Sequence, residues 1–136
     1  MGAGLFGYAV VGLGAGLGAV ARWLVAMAAL ALLGSGFAWG TLAANAVGSF
    51  LICLYVGTAP PPGTDERFVQ LDRFVVAGFC GGFTTFSIFS LETLLLAADA
   101  PALAALYVAA SVLLWLAAGW AGFALAARIT PSRSGA

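Results

Sequence analysis

The sequence predicts an all-α membrane protein with four transmembrane helices in a single domain. Of its 136 residues, 63% are apolar and only 7% are charged, whereas soluble domains carry about 25% charged residues. So few charged side chains cannot cover a surface that faces water. The apolar residues form long continuous runs and do not alternate with polar ones, which favours spanning helices over the strands of a β-barrel.

The charged and metal-binding residues exclude several classes of function. Five basic and five acidic residues give a net charge of zero, and the chain has no His. We expect no nucleic-acid binding, because no basic patch is present. The two cysteines, Cys53 and Cys80, fall inside predicted spans, where we interpret them as small reduced core residues. With no His and no nucleophile–base pair, the chain is not expected to be an enzyme.

The four apolar runs and their connections define the predicted domain of residues 1–130. The first run is interpreted as a mature span, because it lacks a basic n-region and is too long for a signal peptide. Between the runs lie a Gly-Ser-Gly turn, a proline-rich loop that cannot remain helical, and a tight turn in which Asp99 is the predicted N-cap and Pro101 lies in the first helical turn. The tail is expected to be disordered. The predicted spans cover residues 5–33, 39–58, 68–98 and 101–127, and the tail covers residues 131–136.

The first span carries an arginine on a face of small residues. Gly14, Gly18 and Arg22 recur at intervals of four and therefore share one helix face. Two overlapping GxxxG patterns in this region permit close contact with another helix. Arg22 is either a snorkelling side chain near a helix end or a residue that faces a vestibule or a partner helix, and the spacing leaves both interpretations open.

The second and fourth spans carry stripes of polar residues. In the second span, Asn45 lies one turn after Thr41 and is followed by Gly48 and Ser49 on the same face. Such side chains either join helices, at about 0.6 kcal/mol per hydrogen bond in membranes, or line a cavity. Tyr107 and Ser111, spaced four apart in the fourth span, have the same two interpretations.

The third span has the most unusual composition, because residues 78–92 hold three glycines, four phenylalanines and several hydroxyl residues. The glycines predict an interruption of the helix, which is tolerated at membrane depth only inside protein or beside water. Beyond the interruption, Phe86, Phe89 and Glu92 recur at intervals of three and share a face. Core packing explains the phenylalanines alone but not the glycines, hydroxyls and acid beside them.

These three motifs, at residues 14–22, 40–50 and 78–92, resemble the Fluc (CrcB) fluoride-channel family in order and spacing over nearly the whole chain. The resemblance implies an antiparallel, dual-topology-type dimer with two pores that conduct fluoride passively and lower its cytoplasmic concentration. It also implies a structural Na⁺ at the dimer interface, held by the backbone carbonyls of Gly81 and Thr84. One departure is Ile88, which stands where the family commonly has Thr, so that one hydroxyl is missing.

The resemblance also implies which residues meet fluoride. Because fluoride is strongly hydrated, a pore must replace its water with hydrogen-bond donors. The positive edges of aromatic rings meet an anion without trapping it, and an arginine attracts anions at the pore mouth. Glu92 is either a hydrogen-bond acceptor or a gating residue. The implied pore residues are Arg22, Asn45, Phe86, Ser87, Phe89, Tyr107 and Ser111.

The arginines predict the orientation of the chain in an inner (plasma) membrane. With four spans, both termini and the proline-rich loop lie on one side, and that side carries four of the five arginines: Arg67, Arg73, Arg128 and Arg133. The positive-inside rule therefore predicts cytoplasmic termini. This bias favours a fixed orientation and pairing with an oppositely oriented homologue, although a homodimer remains open. We expect membrane lipid to surround the protein.

The alternative function is a small multidrug-type, proton-coupled exporter, which also has four short helices in antiparallel pairs. Such a transporter needs a carboxylate in its binding chamber, and the only deep acidic residue is Glu92, late in the third span. A non-transporting scaffold assembled through its GxxxG faces would not need the interrupted span or the polar stripes.

Overall fold

The computed structural model describes residues 2–60 and 65–130, with side chains from residue 4 onward. All regular secondary structure in these residues is helical, and four stretches are long and apolar enough to cross a membrane, which confirms the prediction of four long apolar helices. The third stretch consists of several pieces. The elements are α1 (Gly2–Leu33), α2 (Trp39–Thr58), α3 (Glu66–Asp72), a π-helical segment (Arg73–Cys80), α4 (Gly81–Phe83), α5 (Phe86–Asp99) and α6 (Pro101–Ile129).

The connections between the helices agree with those predicted from the sequence, except for one helix cap. The turn after α1 is made at Gly34, whose φ of 78° lies in the left-handed region that glycine tolerates best. The N-cap predicted for the fourth span was wrong, because Asp99 is the last residue of α5 and Ala100 caps α6 without a side-chain hydrogen bond. Pro101 does start α6, as expected. Residues 61–64 of the proline-rich loop and the predicted disordered tail lie outside the described residues.

Glycines allow α1 to pack directly on the backbone of the third span. A Cβ atom built on Gly14 would lie 2.5 Å from the carbonyl oxygen of Phe74, and one built on Gly18 would overlap the carbonyl oxygen of Phe79. From the other side, Gly78 and Gly82 face the backbone of α1 in the same way. The GxxxG face of the first span is therefore a helix–helix interface.

The interruption of the third span lies a few residues later than the glycines predict. The glycines at positions 78, 81 and 82 are helical, whereas Thr84 and Thr85 adopt extended backbone with ψ of 159° and 123°. The α5 helix then restarts at Phe86, where the side chain of Thr85 accepts the amide of Ile88 at 3.2 Å. Gly78 and Gly82 thus serve close packing, and the threonines make the break.

The small core lies between α2, α5 and α6. Leu42, Phe89 and Tyr107 form its buried cluster, and α2 packs along α6 where Gly119 and Gly122 face Cys53 and the backbone of Phe50. Many large apolar side chains elsewhere are exposed. In water this would be unfavourable, so the surface suits lipid or another membrane helix.

Candidate functional site

One side chain of α2 holds the interruption of the third span open. The amide of Asn45 donates from Nδ2 to the carbonyl oxygen of Thr85 at 2.9 Å, and its Oδ1 accepts the Thr85 backbone N–H at 2.7 Å. Asn45 is 5% exposed. Both backbone groups of Thr85 are therefore satisfied by a neighbouring span, which allows an unwound residue to persist inside an apolar protein.

Two backbone carbonyls at the interruption lose the N–H donors that they would have in a continuous helix. In a continuous α-helix the Gly81 carbonyl would accept from the N–H of Thr85, and the Thr84 carbonyl from the N–H of Ile88. Those two N–H groups donate instead to Asn45 Oδ1 and to Thr85 Oγ1. The carbonyls predicted from the resemblance to hold a cation are thus the ones whose usual donors are diverted.

Arg22 reaches the same region from α1. Its Nε donates to the carbonyl oxygen of Gly82 at 3.2 Å, and Gly82 lies in the last turn before the break. A cation at this C-terminal end of a helix is also favoured by the helix dipole. Arg22 therefore joins the first span to the end of α4.

The two phenylalanines after the break have different environments. Their ring centroids are 5.6 Å apart, but Phe86 is 73% exposed whereas Phe89 is 6% exposed. Phe89 packs against Tyr107 and, edge to face, against Trp115, with centroid distances of 5.2 and 4.9 Å. Phe86 thus lies on the outer surface of the chain, and Phe89 lies inside it.

Glu92 joins three spans through its two carboxylate oxygens. Thr41 of α2 donates to Oε1 at 2.9 Å, and the phenol of Tyr107 on α6 donates to Oε2 at 2.7 Å. The hydroxyl of Tyr107 is therefore engaged with an acid. The sequence placed Thr41 on the polar stripe of α2 but did not connect it with Glu92.

Several of the predicted residues meet in a groove at the break, which we call the central groove. It has a volume of about 310 Å³ and opens on one side of the chain. Of the predicted pore residues, Asn45 and Phe86 line it. Ser87 is exposed beside it, 3.3 Å from the hydroxyl of Thr85, whereas Ser111 on α6 is fully buried and does not line the groove. The groove residues are Asn45, Gly48, Ser49, Ile52, Val76, Cys80, Gly81, Thr84, Thr85, Phe86 and Trp115.

Trp115 was not predicted as a site residue. It lines the central groove and contacts Phe89. The signal that was available is spacing, because Trp115 follows Ser111 by four residues and so continues the stripe that Tyr107 begins. Trp115 was overlooked because a tryptophan in a membrane span was treated as an apolar residue and its N–H was not considered.

This geometry defines a small multi-pass membrane protein with an interrupted span and a groove that combines hydrogen-bonding groups with aromatic rings. The sequence model of the CrcB-like protein family, Camphor Resistance (CrcB), matches residues 9–123. Curated relatives are similar along nearly their whole length, and the chain belongs to the CrcB family.

Three relatives show how closely the chain follows that family. It is 45% identical over 123 residues to the "Fluoride-specific ion channel FluC 1" of Rhodopseudomonas palustris, covering 90% of this chain and 87% of the relative. It is 42% identical over 122 residues to the protein of the same name from Bradyrhizobium diazoefficiens, covering 89% and 84%. The "Fluoride-specific ion channel FluC" of Agrobacterium fabrum is 43% identical over 118 residues, covering 86% and 93%.

Proposed function

We propose that this chain forms a fluoride-selective channel that lowers cytoplasmic fluoride by passive export across the plasma membrane. The observation that carries the proposal is the central groove, in which Asn45 holds an interrupted span open beside the exposed ring of Phe86. The names of the curated relatives support the same function. A channel performs no covalent reaction, so no catalytic residue is assigned.

The groups around the groove suit a small, strongly hydrated anion. An Asn amide carries two N–H groups, and one on Asn45 bonds to Thr85, which leaves the other for an ion. The hydroxyl of Ser87 is exposed beside the groove. The ring edges of Phe86 and Phe89 add weak positive potential. These partners replace water without binding so tightly that the anion cannot leave, and Arg22 contributes the positive charge near the path.

The exposed start of α5 supports the proposed dimer. Phe86, Ser87 and Ile88 are all exposed although they lie in the middle of the third span, and the central groove is open on that side. A partner chain of opposite orientation would cover this surface and close the groove into a pore. The partner is a second copy or an oppositely oriented homologue, and lipid covers the remaining apolar surface.

The interruption fits the sodium ion that the family resemblance implies. A hard cation prefers oxygen ligands, and the carbonyls of Gly81 and Thr84 have their helical donors diverted to Asn45 and Thr85. Both residues line the central groove. A bound cation there would supply positive charge that stabilises these carbonyls and joins two chains.

We assign Glu92 a structural role, and gating would act by breaking the hydrogen bonds that it makes. Its two hydrogen bonds, from Thr41 and Tyr107, join α2, α5 and α6. Release of the Tyr107 phenol would free a donor beside Phe89. The exporter alternative needs this carboxylate free to exchange protons in a chamber, so the observed pairing and the names of the relatives favour the channel.

Fluoride efflux from liposomes tests the function. Liposomes that contain the purified protein should release trapped fluoride when a potassium ionophore lets K⁺ leave with it, so that no membrane potential opposes the release. We expect this release because the groove offers donors and ring edges suited to fluoride. A fluoride electrode measures the release, with chloride-loaded vesicles as the selectivity control. The assay is run with the chain alone and together with any oppositely oriented homologue. Absence of fluoride release in both arrangements would rule out the channel.

The charge distribution predicts a fixed orientation with cytoplasmic termini. Arg67, Arg73 and Arg128 all lie on the side of the termini, and the opposite loops hold no basic residue. Two reporters are fused in turn to the C-terminus, one active only in the cytoplasm and the other only on the opposite side, and only the cytoplasmic reporter should give a signal. Halving the bias with Arg67→Gln and Arg128→Gln, which leaves two of the four arginines on that side, should increase the share of the opposite orientation. Equal signals from both sides for the unchanged chain would refute the fixed orientation and favour a homodimer.

A further inference from the structure

Gly48 of α2 contacts the interruption of the third span one turn after Asn45. The two residues are three apart and so share a face of α2, and both are buried. Asn45 bonds to the backbone of Thr85, whereas Gly48 lies against the side chain of Thr84. Two residues on one face of α2 therefore contact the two extended residues of the break.

The methyl group of Thr84 occupies the space that a side chain at position 48 would take. A Cβ atom built on Gly48 would overlap Cγ2 of Thr84. The next nearest atoms, Cδ1 of Phe83 and Cβ of Thr84, lie at the ordinary van der Waals distances of 3.4 and 3.7 Å. The overlap thus concerns a single carbon atom of Thr84.

A hydrogen bond keeps Thr84 from turning this methyl group away. Its hydroxyl donates to the carbonyl oxygen of Cys80 at 2.8 Å, and its backbone N–H donates to the same oxygen at 3.0 Å. The hydroxyl and the methyl of a threonine share one Cβ, so the partner of the hydroxyl fixes the direction of the methyl. Moving the methyl therefore requires either loss of the bond to Cys80 or displacement of the Thr84 backbone.

The position of the Thr84 backbone matters for the proposed cation. The carbonyls of Thr84 and Gly81 have their helical donors diverted, whereas the carbonyl of Cys80 already accepts two hydrogen bonds. Two oxygens can hold one ion only if their separation is kept to within about 0.5 Å. A displacement of Thr84 would therefore weaken the binding of a cation at this place.

We propose that Gly48 is a positioning residue for the sodium site. By leaving room for the Thr84 methyl, it lets the Thr84 hydroxyl remain on Cys80 and keeps the Thr84 carbonyl where it can share Na⁺ with that of Gly81. This inference rests on the proposed function and deepens it, because it assigns control of the cation ligands to a residue of α2 that has no side chain.

Four proteins test the contact: the unchanged chain, Gly48→Ala, Thr84→Ser and the double variant. Thr84→Ser keeps the hydroxyl but lacks Cγ2, so the overlap disappears. Gly48→Ala should lower the fluoride efflux rate about tenfold by itself and less than about twofold in the Thr84→Ser background. Ala favours a helix over Gly, so helix propensity does not explain such a loss.

The Na⁺ dependence of the melting temperature separates positioning from a purely structural clash. Each protein is heated in detergent with sodium chloride and with N-methylglucamine chloride at equal concentration, and the difference measures the stabilisation by Na⁺. A clash by itself lowers both temperatures equally. Gly48→Ala should need about tenfold more Na⁺ for the same difference, and the double variant should need no more than Thr84→Ser.

Gly57→Ala supplies a matched control on α2. Its Cβ would lie 2.5 Å from Cβ of Ala126, so it also clashes, but neither residue lines the central groove. This variant should melt at a lower temperature in both salts and show the Na⁺ difference of the unchanged chain. Thr84→Ser should not relieve its effect.

The outcomes separate this inference from the proposed function. Equal effects of Gly48→Ala in both backgrounds overturn the inference, and so does an unaltered Na⁺ dependence in Gly48→Ala. Melting temperatures that do not respond to Na⁺ in any of the proteins overturn it as well. The expected Na⁺ dependences in a protein without fluoride efflux support the positioning role and refute the channel. If Gly48→Ala yields no folded protein, recovery in the double variant supports the contact and failure to recover overturns it.

Discussion

Replacing Phe86 with Ile is expected to abolish fluoride efflux, by about 100-fold or more, and to leave assembly intact. An aromatic edge carries positive potential toward an anion, whereas an aliphatic side chain offers none and cannot replace fluoride's water. Because Phe86 is largely exposed within one chain, the substitution removes little packing. Phe89→Ile should also abolish efflux, but it additionally disturbs the contacts with Tyr107 and Trp115.

The control for these variants is Phe6→Ile on α1, an exposed phenylalanine remote from the central groove. Liposome efflux and size-exclusion elution should be measured for all three proteins. Phe6→Ile should behave like the unchanged protein in both assays. Normal efflux from Phe86→Ile and Phe89→Ile would remove both rings from the fluoride path.

Gly18→Ala should severely destabilise the protein. The new Cβ would overlap the backbone carbonyl oxygen of Phe79, and two packed helices cannot yield as a flexible side chain can. Overpacking of this kind costs about 1–3 kcal/mol. We therefore expect a lower melting temperature in detergent, measured by the loss of the size-exclusion peak after heating, and little correctly assembled protein.

Gly16→Ala supplies the matched comparison on the same helix. A Cβ at this position meets nothing within 4 Å, and Ala favours a helix over Gly by about 1 kcal/mol. Gly16→Ala should therefore be as stable as the unchanged protein or slightly more stable. Equal stability of the two variants would contradict the tight packing of α1 on the third span.

The four spans could be predicted because their signal is carried by composition and run length, which depend on no distant contact. The position of the break could not be predicted as accurately. In a sequence, a glycine that breaks a helix looks the same as a glycine that admits a neighbouring backbone. Gly78 and Gly82 prove to be the second kind, and the extended residues are set by Asn45, which lies 40 residues before Thr85 in the chain.

The candidate site also combines features that the local sequence predicted with features that depend on contacts between distant residues. Regular spacing placed Phe86 and Phe89 on one face of the third span, because helical periodicity is local, whereas only the family resemblance connected Asn45 with them. The pairing of Glu92 with Thr41 and Tyr107 depends on how three spans pack, so spacing within one span could not reveal it. Trp115 was missed for a related reason, since only the folded bundle shows that its N–H is buried with no acceptor among the described residues.

The dependence of the break on Asn45 has a consequence for the order of membrane assembly. A lone third span in lipid would leave the backbone groups of Thr85 without partners, which costs several kcal/mol for each group. We therefore expect the span to enter the bilayer as a continuous helix and to open only after α2 has docked against it. In this sequence of events the gap is a late product of folding, and residues that speed or delay docking of α2 would control the yield of competent protein.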